Sequence, residues 1–434
     1  MGRGRHALAR LPGLAVLLVA NAALAQGTAY LVSARAEVRT RNLQPGSLGA
    51  VTNEVELRPV AGLLWGGDAT RLGVSYQPVL LLRDPFALGP VGLLHRALLA
   101  FSQRGALAAF RLDLDGSWGI TDVSALRPAD TATPGSIETR TLGLVPYVRT
   151  WGRLGVDVTL TRRTALSLDG GYQLSGSPED LSLPIQHGPF ATTRFTWRPD
   201  ARNTFTTTVL GAHAEYFTDP TLVQLAPVPD PLPPEGLDER PIVRTHRSTL
   251  VQGTQAFDHS FDSRTSLGVA AGVAWTREQV WYITRVGLTQ DTNITESLFR
   301  ELLPVASATV SHRLVAGGAL ELRATARLGP FSDRFTGNIY ERLEALAQVR
   351  WRPTRLVEAT GTGGGGWAVN IGRAEQVGDR IVYGDARVTW TPAPWLAVQG
   401  DARLAWSEQP SYGIPGGLQW LVGVAATVLD KGAL

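Results

Sequence analysis

The 434-residue chain contains no cysteine, and Lys431 is its single lysine among 41 basic residues. Without cysteine there is no disulfide framework, no thiolate metal site and no thiol nucleophile, so stability must come from another source. With lysine almost absent, arginine carries the positive charge. Its planar guanidinium holds several acceptors at once and suits a rigid charge lattice. Long apolar runs are missing too. Beyond the N-terminus none reaches the ~18 residues of a membrane-spanning helix. That excludes a helical membrane protein but not a β-barrel, whose strands need only ~9–11 alternating residues. Catalytic signatures are equally scarce. There is no GxSxG, no HExxH and no phosphate loop. The glycine run from Gly361 to Gly366 lacks the strand–loop–helix setting of a nucleotide site, and reads instead as room for a curved strand or a wide pore. His95, His187, His213, His246, His259 and His312 form no pair at metal-ligand spacing. No metal, no cofactor and no enzymatic activity are expected.

The N-terminus has the layout of a secretory signal. Arg3, Arg5 and Arg10 precede the apolar stretch Leu11 to Ala25, which ends in the small-x-small site Ala23-Leu24-Ala25. Residues 1–25 are therefore expected to be removed, leaving 26–434 as one domain. The apparent net charge of +3 resides in that segment, since the remainder holds 38 basic and 38 acidic residues. A balanced chain gives no reason to expect a nucleic-acid partner.

What the sequence has in quantity is alternation. In Tyr340 to Trp406, apolar Leu343, Ala345, Ala347, Val349 and Trp351 are interleaved with Arg342, Glu344, Gln348 and Arg350. After a turn at Arg352-Pro353-Thr354-Arg355, Val382, Ala386, Val388 and Trp390 alternate with Asp385 and Arg387. Past Thr391-Pro392-Ala393-Pro394, Leu396, Val398, Ala402, Leu404 and Trp406 alternate with Gln399, Asp401 and Arg403. A period of two builds strands with one apolar and one wet face. Short turns on one side and long loops on the other make a meander of hairpins. The same pattern recurs from Tyr30 onward. It predicts an all-β fold, a single transmembrane antiparallel up-and-down β-barrel of about 18 strands, with both termini on the short-turn side.

Three local features bear on the count. Glu138 to Thr161 reads as one long strand, because two would put short turns at both ends. Thr276 to Ser297 reads as a loop carrying a small hairpin near Val280 to Leu288. Pro78 falls inside a strand, where its missing N–H calls for a bulge or a ladder end. The loop Phe217 to Pro241 carries six prolines before Pro241 and is expected to be extended and stiff.

Tryptophan marks two tiers. Trp65, Trp197, Trp351, Trp390 and Trp395 lie near short turns; Trp118, Trp275, Trp367, Trp406 and Trp420 lie near long loops. An indole that is half apolar and half wet belongs at a membrane interface, so these residues predict two aromatic girdles. On the polar face the predicted channel-lining residues are Arg35, Glu37, Arg39, Arg111, Asp113, Asp115, Glu321, Arg323, Arg327, Arg342, Glu344, Arg350, Asp385, Arg387, Asp401 and Arg403. His213 and Glu215, two apart on one strand, are expected to meet in the lumen as a solvated pair. An acid/base site of an outer-membrane enzyme is the sharper alternative for them.

The chain resembles porin-like outer-membrane β-barrels over nearly the whole of 26–434. The block RPVAGLLWGGD at Arg58 to Asp68, LSLDGGYQLSG at Leu166 to Gly176 and the Trp-Arg-Pro turns at Trp197 and Trp351 also resemble the barrels that accompany exopolysaccharide secretion. The resemblance implies a Gram-negative outer-membrane location, outer-membrane lipids and periplasmic export components as partners, and a channel taking part in polysaccharide export. A diffusion porin and a structural surface protein are the alternatives. The final Leu434 departs from the aromatic last residue frequent in such barrels, so an insertion signal would have to be internal, near Trp420 to Val428, or degenerate.

Overall fold

The computed structural model describes residues 27–42, 51–67, 69–85, 89–122, 144–178, 185–217, 241–285, 292–314, 319–332, 339–369, 379–409 and 414–433. All hydrogen-bonded segments in them are strands, and they join in one sheet. In chain order these are β1 (Thr28–Asn42), β2 (Val51–Gly66), β3 (Thr70–Tyr76), β4 (Val79–Arg83), β5 (Val91–Arg104), β6 (Ala108–Asp122) and β7 (Leu144–Thr159). There follow β8 (Thr164–Gly176), β9 (Ile185–Trp197), β10 (Asn203–Phe217), β11 (Pro241–Ser260), β12 (Thr265–Arg285) and β13 (Thr292–Arg313). The rest are β14 (Leu320–Ser332), β15 (Ile339–Trp351), β16 (Val357–Val369), β17 (Asp379–Ala393), β18 (Leu396–Gln409) and β19 (Ile414–Ala433). Every pairing is antiparallel and joins chain neighbours, except that β2 also pairs with β4, β3 pairs with β5, and β1 pairs with β19, from Ala29↔Ala433 to Arg41↔Leu421. The β1–β19 pairing closes the sheet into a barrel and leaves no edge, as a wall in hydrocarbon requires.

Nineteen segments make 18 strands. β3 and β4 pair with β2 in one unbroken register, Ala61↔Tyr76 and then Leu57↔Leu80. Both also pair with β5 without a shift, Tyr76↔Ala97 and Val79↔Leu94. They are one strand interrupted at Pro78. Gln77 exchanges two backbone bonds with Arg96 on the β5 side, 2.8 and 3.1 Å. The next residue, Pro78, therefore points its backbone at β2, and the continuous register sets it opposite Pro59. Neither proline has an N–H, so this rung carries no bond at all.

The predicted long strand is single over its described part, β7. The small hairpin expected near Val280 to Leu288 does not form. β12 instead continues to Arg285 and stays in register with β13, ending on Arg285↔Thr292. Alternation over Val280, Trp281 and Tyr282 is hidden because both faces are apolar there. The proline-rich loop and the signal segment lie outside the described residues.

The short turns encode their own geometry. Asp200 Oδ1 accepts from the backbone N–H groups of Arg202 and Asn203, 2.7 and 2.8 Å. Asp262 does the same with Arg264 and Thr265, 2.7 and 2.6 Å. Thr161 Oγ1 takes Arg163 and Thr164, and Thr354 Oγ1 takes Leu356 and Val357. One side-chain oxygen thus satisfies two turn donors and fixes the hairpin register. The outer wall is apolar, with Val38, Val382, Val424 and Leu302 more than half exposed. The charged side chains of β1, β2 and β7 turn inward.

Candidate functional site

Cross-strand partners share a face, so the register carries one inward assignment around the barrel. Glu37, Glu54 and Glu56 are buried while Val32 and Val38 are exposed, which fixes the inner face of β1 and β2. Followed through the ladders, that face takes in Arg35, Glu37, Arg39, Arg111, Asp113, Asp115, Glu321, Arg323, Arg327, Arg342, Glu344, Arg350, Asp385, Arg387, Asp401 and Arg403.

His213 and Glu215 correct the expectation. Their strand neighbours Ala214 and Tyr216 are the buried, inward residues, and Tyr216 stacks on inward His246 at 5.4 Å. His213 and Glu215 share the outer face with exposed Val209. They do meet, Nε2 to Oε1 at 3.5 Å, but outside the lumen, where Glu215 also accepts from Arg247 Nε at 3.0 Å. Spacing by two shows that residues share a face; it does not show which face, and the inward face here is carried by Ala212, Ala214 and Tyr216, which bear no charge to mark it.

The densest part of the inner face lies in the long-loop half of β1, β2, β4 and β6. Glu54, fully buried, accepts from Arg39 Nε at 2.6 Å, Arg41 Nη2 at 2.8 Å and Arg83 Nε at 3.3 Å. Asp122 accepts from Arg41 and Arg83, and Glu56 accepts from Arg39 at 3.1 Å and from Arg58. Arg35 reaches Glu37 at 2.9 Å and Gln399 at 3.1 Å, tying β1 across the closure to β18. Guanidinium forks bridging three strands brace the wall with charge-assisted bonds.

Smaller clusters continue the lattice. Arg111 pairs with Asp157 at 3.0 Å, Arg153 with Asp169 at 2.9 Å, and Arg96 with Asp115 at 2.7 Å. Asp113 lies across from Arg153. Glu344 accepts from Arg327 at 2.5 Å and Arg342 at 2.7 Å, and Glu358 accepts from Arg350 at 2.9 Å. Glu321 sits opposite Arg350, Arg323 opposite Gln348, Asp385 opposite Arg403 and Arg387 opposite Asp401. Opposite signs on adjacent strands keep the net field along the wall small. A further pair, His246 Nε2 and Glu278 Oε2 at 3.3 Å, is buried inward.

Sequence reading missed Arg41, Glu54, Glu56, Arg58, Arg83, Asp122, Arg153, Asp157, Asp169 and the His246–Glu278 pair. Three of these, Glu54, Glu56 and Arg58, were available from their i, i+2, i+4 spacing on β2, and Arg41 from the same spacing after Arg35, Glu37 and Arg39 on β1. Trp118, Trp197, Trp275, Trp351 and Trp390 are exposed on the outer face, Trp65, Trp406 and Trp420 share it, and Trp395 is exposed in a short turn. Tyr76, His95 and Trp118 form an outer stack, with ring centroids 6.1 and 5.4 Å apart.

Known structures share this architecture. The closed form of the ferric-catecholate import receptor Fiu from E. coli K12 superposes with a TM-score of 0.50 at 8% identity, covering 94% of this chain and 82% of that one. OpdO from Pseudomonas aeruginosa gives 0.49 at 12% identity, covering 95% and 99%. At such identities the likeness concerns the fold alone, that of an outer-membrane β-barrel. No curated protein matches the sequence. Residues 241–434, from β11 to the end of the barrel, match the model of the EpsX exopolysaccharide export family.

Proposed function

We propose that the protein is an outer-membrane channel through which a polysaccharide chain leaves the cell. The observation that carries this reading is the closed 18-strand wall with a polar, ion-paired inner face. Barrels of 16–18 strands are wide enough to leave an aqueous path. A glycan presents many hydroxyls and no obligatory charge. A wall of paired guanidinium and carboxylate groups offers donors and acceptors at every height with little net field. Each contact is weak and quickly replaced by the next, which is what conduction demands. The match of residues 241–434 to an exopolysaccharide export family supports the choice of cargo.

In this reading residues 1–25 direct export to the periplasm and are cleaved after Ala25. The short-turn rim faces the periplasm, where export components deliver the chain, and the Trp tiers sit in the lipid headgroups. Two measurements test it together. Planar-bilayer recording should show ion conductance that changes in selectivity on Arg111→Gln and Arg153→Gln. Deletion of the gene should stop polysaccharide from reaching the cell surface while it accumulates inside. A non-conducting barrel, or undiminished surface polysaccharide, would overturn the proposal; conductance with normal secretion would mark a diffusion porin.

A further inference from the structure

One stretch of the inner wall departs from the charge lattice. Trp151 is the one inward tryptophan of the twelve. It lies at mid-height on β7, opposite Asp115 of β6 and Gln173 of β8. Two strands along, Phe190 of β9 also faces inward, and the rings are 6.3 Å apart and parallel to within 8°. The strand between them supplies Gly171 opposite Phe190. A Cβ at 171 would stand 2.6 and 2.9 Å from Phe190 ring carbons, so glycine is what lets that ring lie down on the wall. Both rings remain partly exposed.

Beside Trp151, toward the short-turn rim, lies a recess of about 780 Å³. Inward Leu31, Leu64, Leu98 and Ala100 line it, Gly62 and Gly73 widen it, and Asp113 and Asp115 stand at its border. Its size falls within the roughly 300–1,000 Å³ of small-molecule sites. Unlike inward Ala274 and Leu303, which are buried against Leu250 and Val305, these aliphatic side chains stay open to the lumen.

We propose that Trp151, Phe190 and this recess form a stacking subsite for a pyranose ring of a glycan chain. A pyranose has an apolar C–H face and a rim of hydroxyls. An aromatic plane matches the first, because its negative face attracts polarised C–H groups and stacking removes apolar surface from water. The rim is met by carboxylates and guanidinium groups held in place by their own pairing: Asp115 with Arg96 at 2.7 Å, and Arg153 with Asp169 at 2.9 Å. Two parallel rings separated along the wall accept consecutive sugars, so the chain is held flat and in one orientation as it enters from the short-turn side. The choice of a glycan as occupant rests on the export reading above; the apolar platform itself does not.

Isothermal titration of the detergent-folded barrel with cellohexaose and isomaltohexaose tests it, with a polyethylene glycol of equal size as the steric control. Saturable binding of a hexaose and none of the glycol is expected. Trp151→Ala should weaken that binding about tenfold, the scale of one lost stacking contact. Trp151→Phe should restore most of it. Heat-modifiable mobility in SDS confirms that each variant is folded, and Trp151→Leu, apolar but without an aromatic face, carries the same expectation should Trp151→Ala not fold. No hexaose binding, or equal binding by wild type, Trp151→Ala and Trp151→Leu, overturns the subsite. The export reading fails separately, if surface polysaccharide persists in the deletion strain while the purified barrel still binds.

Discussion

Glu54→Gln is the perturbation that most directly probes the buried lattice. The side chain is fully buried and takes three guanidinium groups at 2.6, 2.8 and 3.3 Å. Glutamine keeps the shape and one acceptor oxygen but removes the charge, leaving Arg39, Arg41 and Arg83 to share Glu37, Glu56 and Asp122. Breaking a buried pair by neutralising one partner costs about 3–5 kcal/mol, because the remaining charges stay buried. The surviving acceptor places Glu54→Gln near the lower end, at about 3 kcal/mol. Glu358→Gln is the internal control. That carboxylate also holds two arginines, Arg350 at 2.9 Å and Arg352 at 2.6 Å, but it is one-third exposed. Water screens the pair, and its loss should cost about 1 kcal/mol or less. Urea unfolding from lipid vesicles, followed by tryptophan fluorescence and by mobility in unboiled SDS samples, measures both. Equal effects of the two substitutions would refute the claim that burial, rather than pairing as such, sets the strength of this lattice.

Other outcomes follow from particular residues. Val424→Arg places a charge on the lipid face near the middle of β19 and should destabilise the folded barrel by about 2–4 kcal/mol; an innocuous Val424→Arg in the same unfolding assay would mean that the faces are reversed. Gly171→Ala drives a methyl to 2.1 Å from the Gly152 carbonyl oxygen and into the Phe190 ring, and should lower stability by about 1–3 kcal/mol. Its thermal transition in SDS mobility should fall well below that of Gly211→Ala, where the added methyl meets nothing within 4 Å. The backbone N–H groups of Arg264 and then Thr265 hold the Asp262 carboxyl below its usual 3.8. Since the folded value lies under the unfolded one, the stability this turn contributes is complete above about pH 4 and fades as pH falls through the lowered value. Asp262→Asn keeps the turn without titrating, so its unfolding midpoint should depend less on pH between about pH 2 and 4; identical profiles would count against the turn geometry.

Much of the barrel was legible because alternation, short turns and tryptophan tiers are local signals. Leu343 to Trp351 needs only its own residues to declare a two-faced strand. The count survived the interruption at Pro78 because the stretch from Leu72 to Arg83 holds no turn signal, although alternation lapses at Val79 to Leu82. What escaped depends on the face a strand presents, which only its neighbours fix. His213 and Glu215 were read as inward, although Tyr216 beside them takes that side. Tyr30, Leu31 and Val32 are all apolar, so Leu31 is marked as lumenal only by Ser33, Arg35 and Glu37 further along the same face. The union of Arg39, Arg41 and Arg83 on Glu54 joins β1, β2 and β4, a convergence set by cross-strand register, Arg39↔Glu54 and Glu54↔Arg83.

The facing prolines at 59 and 78 bear on how such walls tolerate change. A rung with two donors missing splits one strand into two hydrogen-bonded segments, yet the chain still crosses the wall there once. Segment number and crossing number are therefore separate quantities. Breaks of this kind alter the first and leave the second even. The orientation of every later hairpin is indifferent to them, whereas inserting or deleting one whole crossing would exchange the two rims for all that follows.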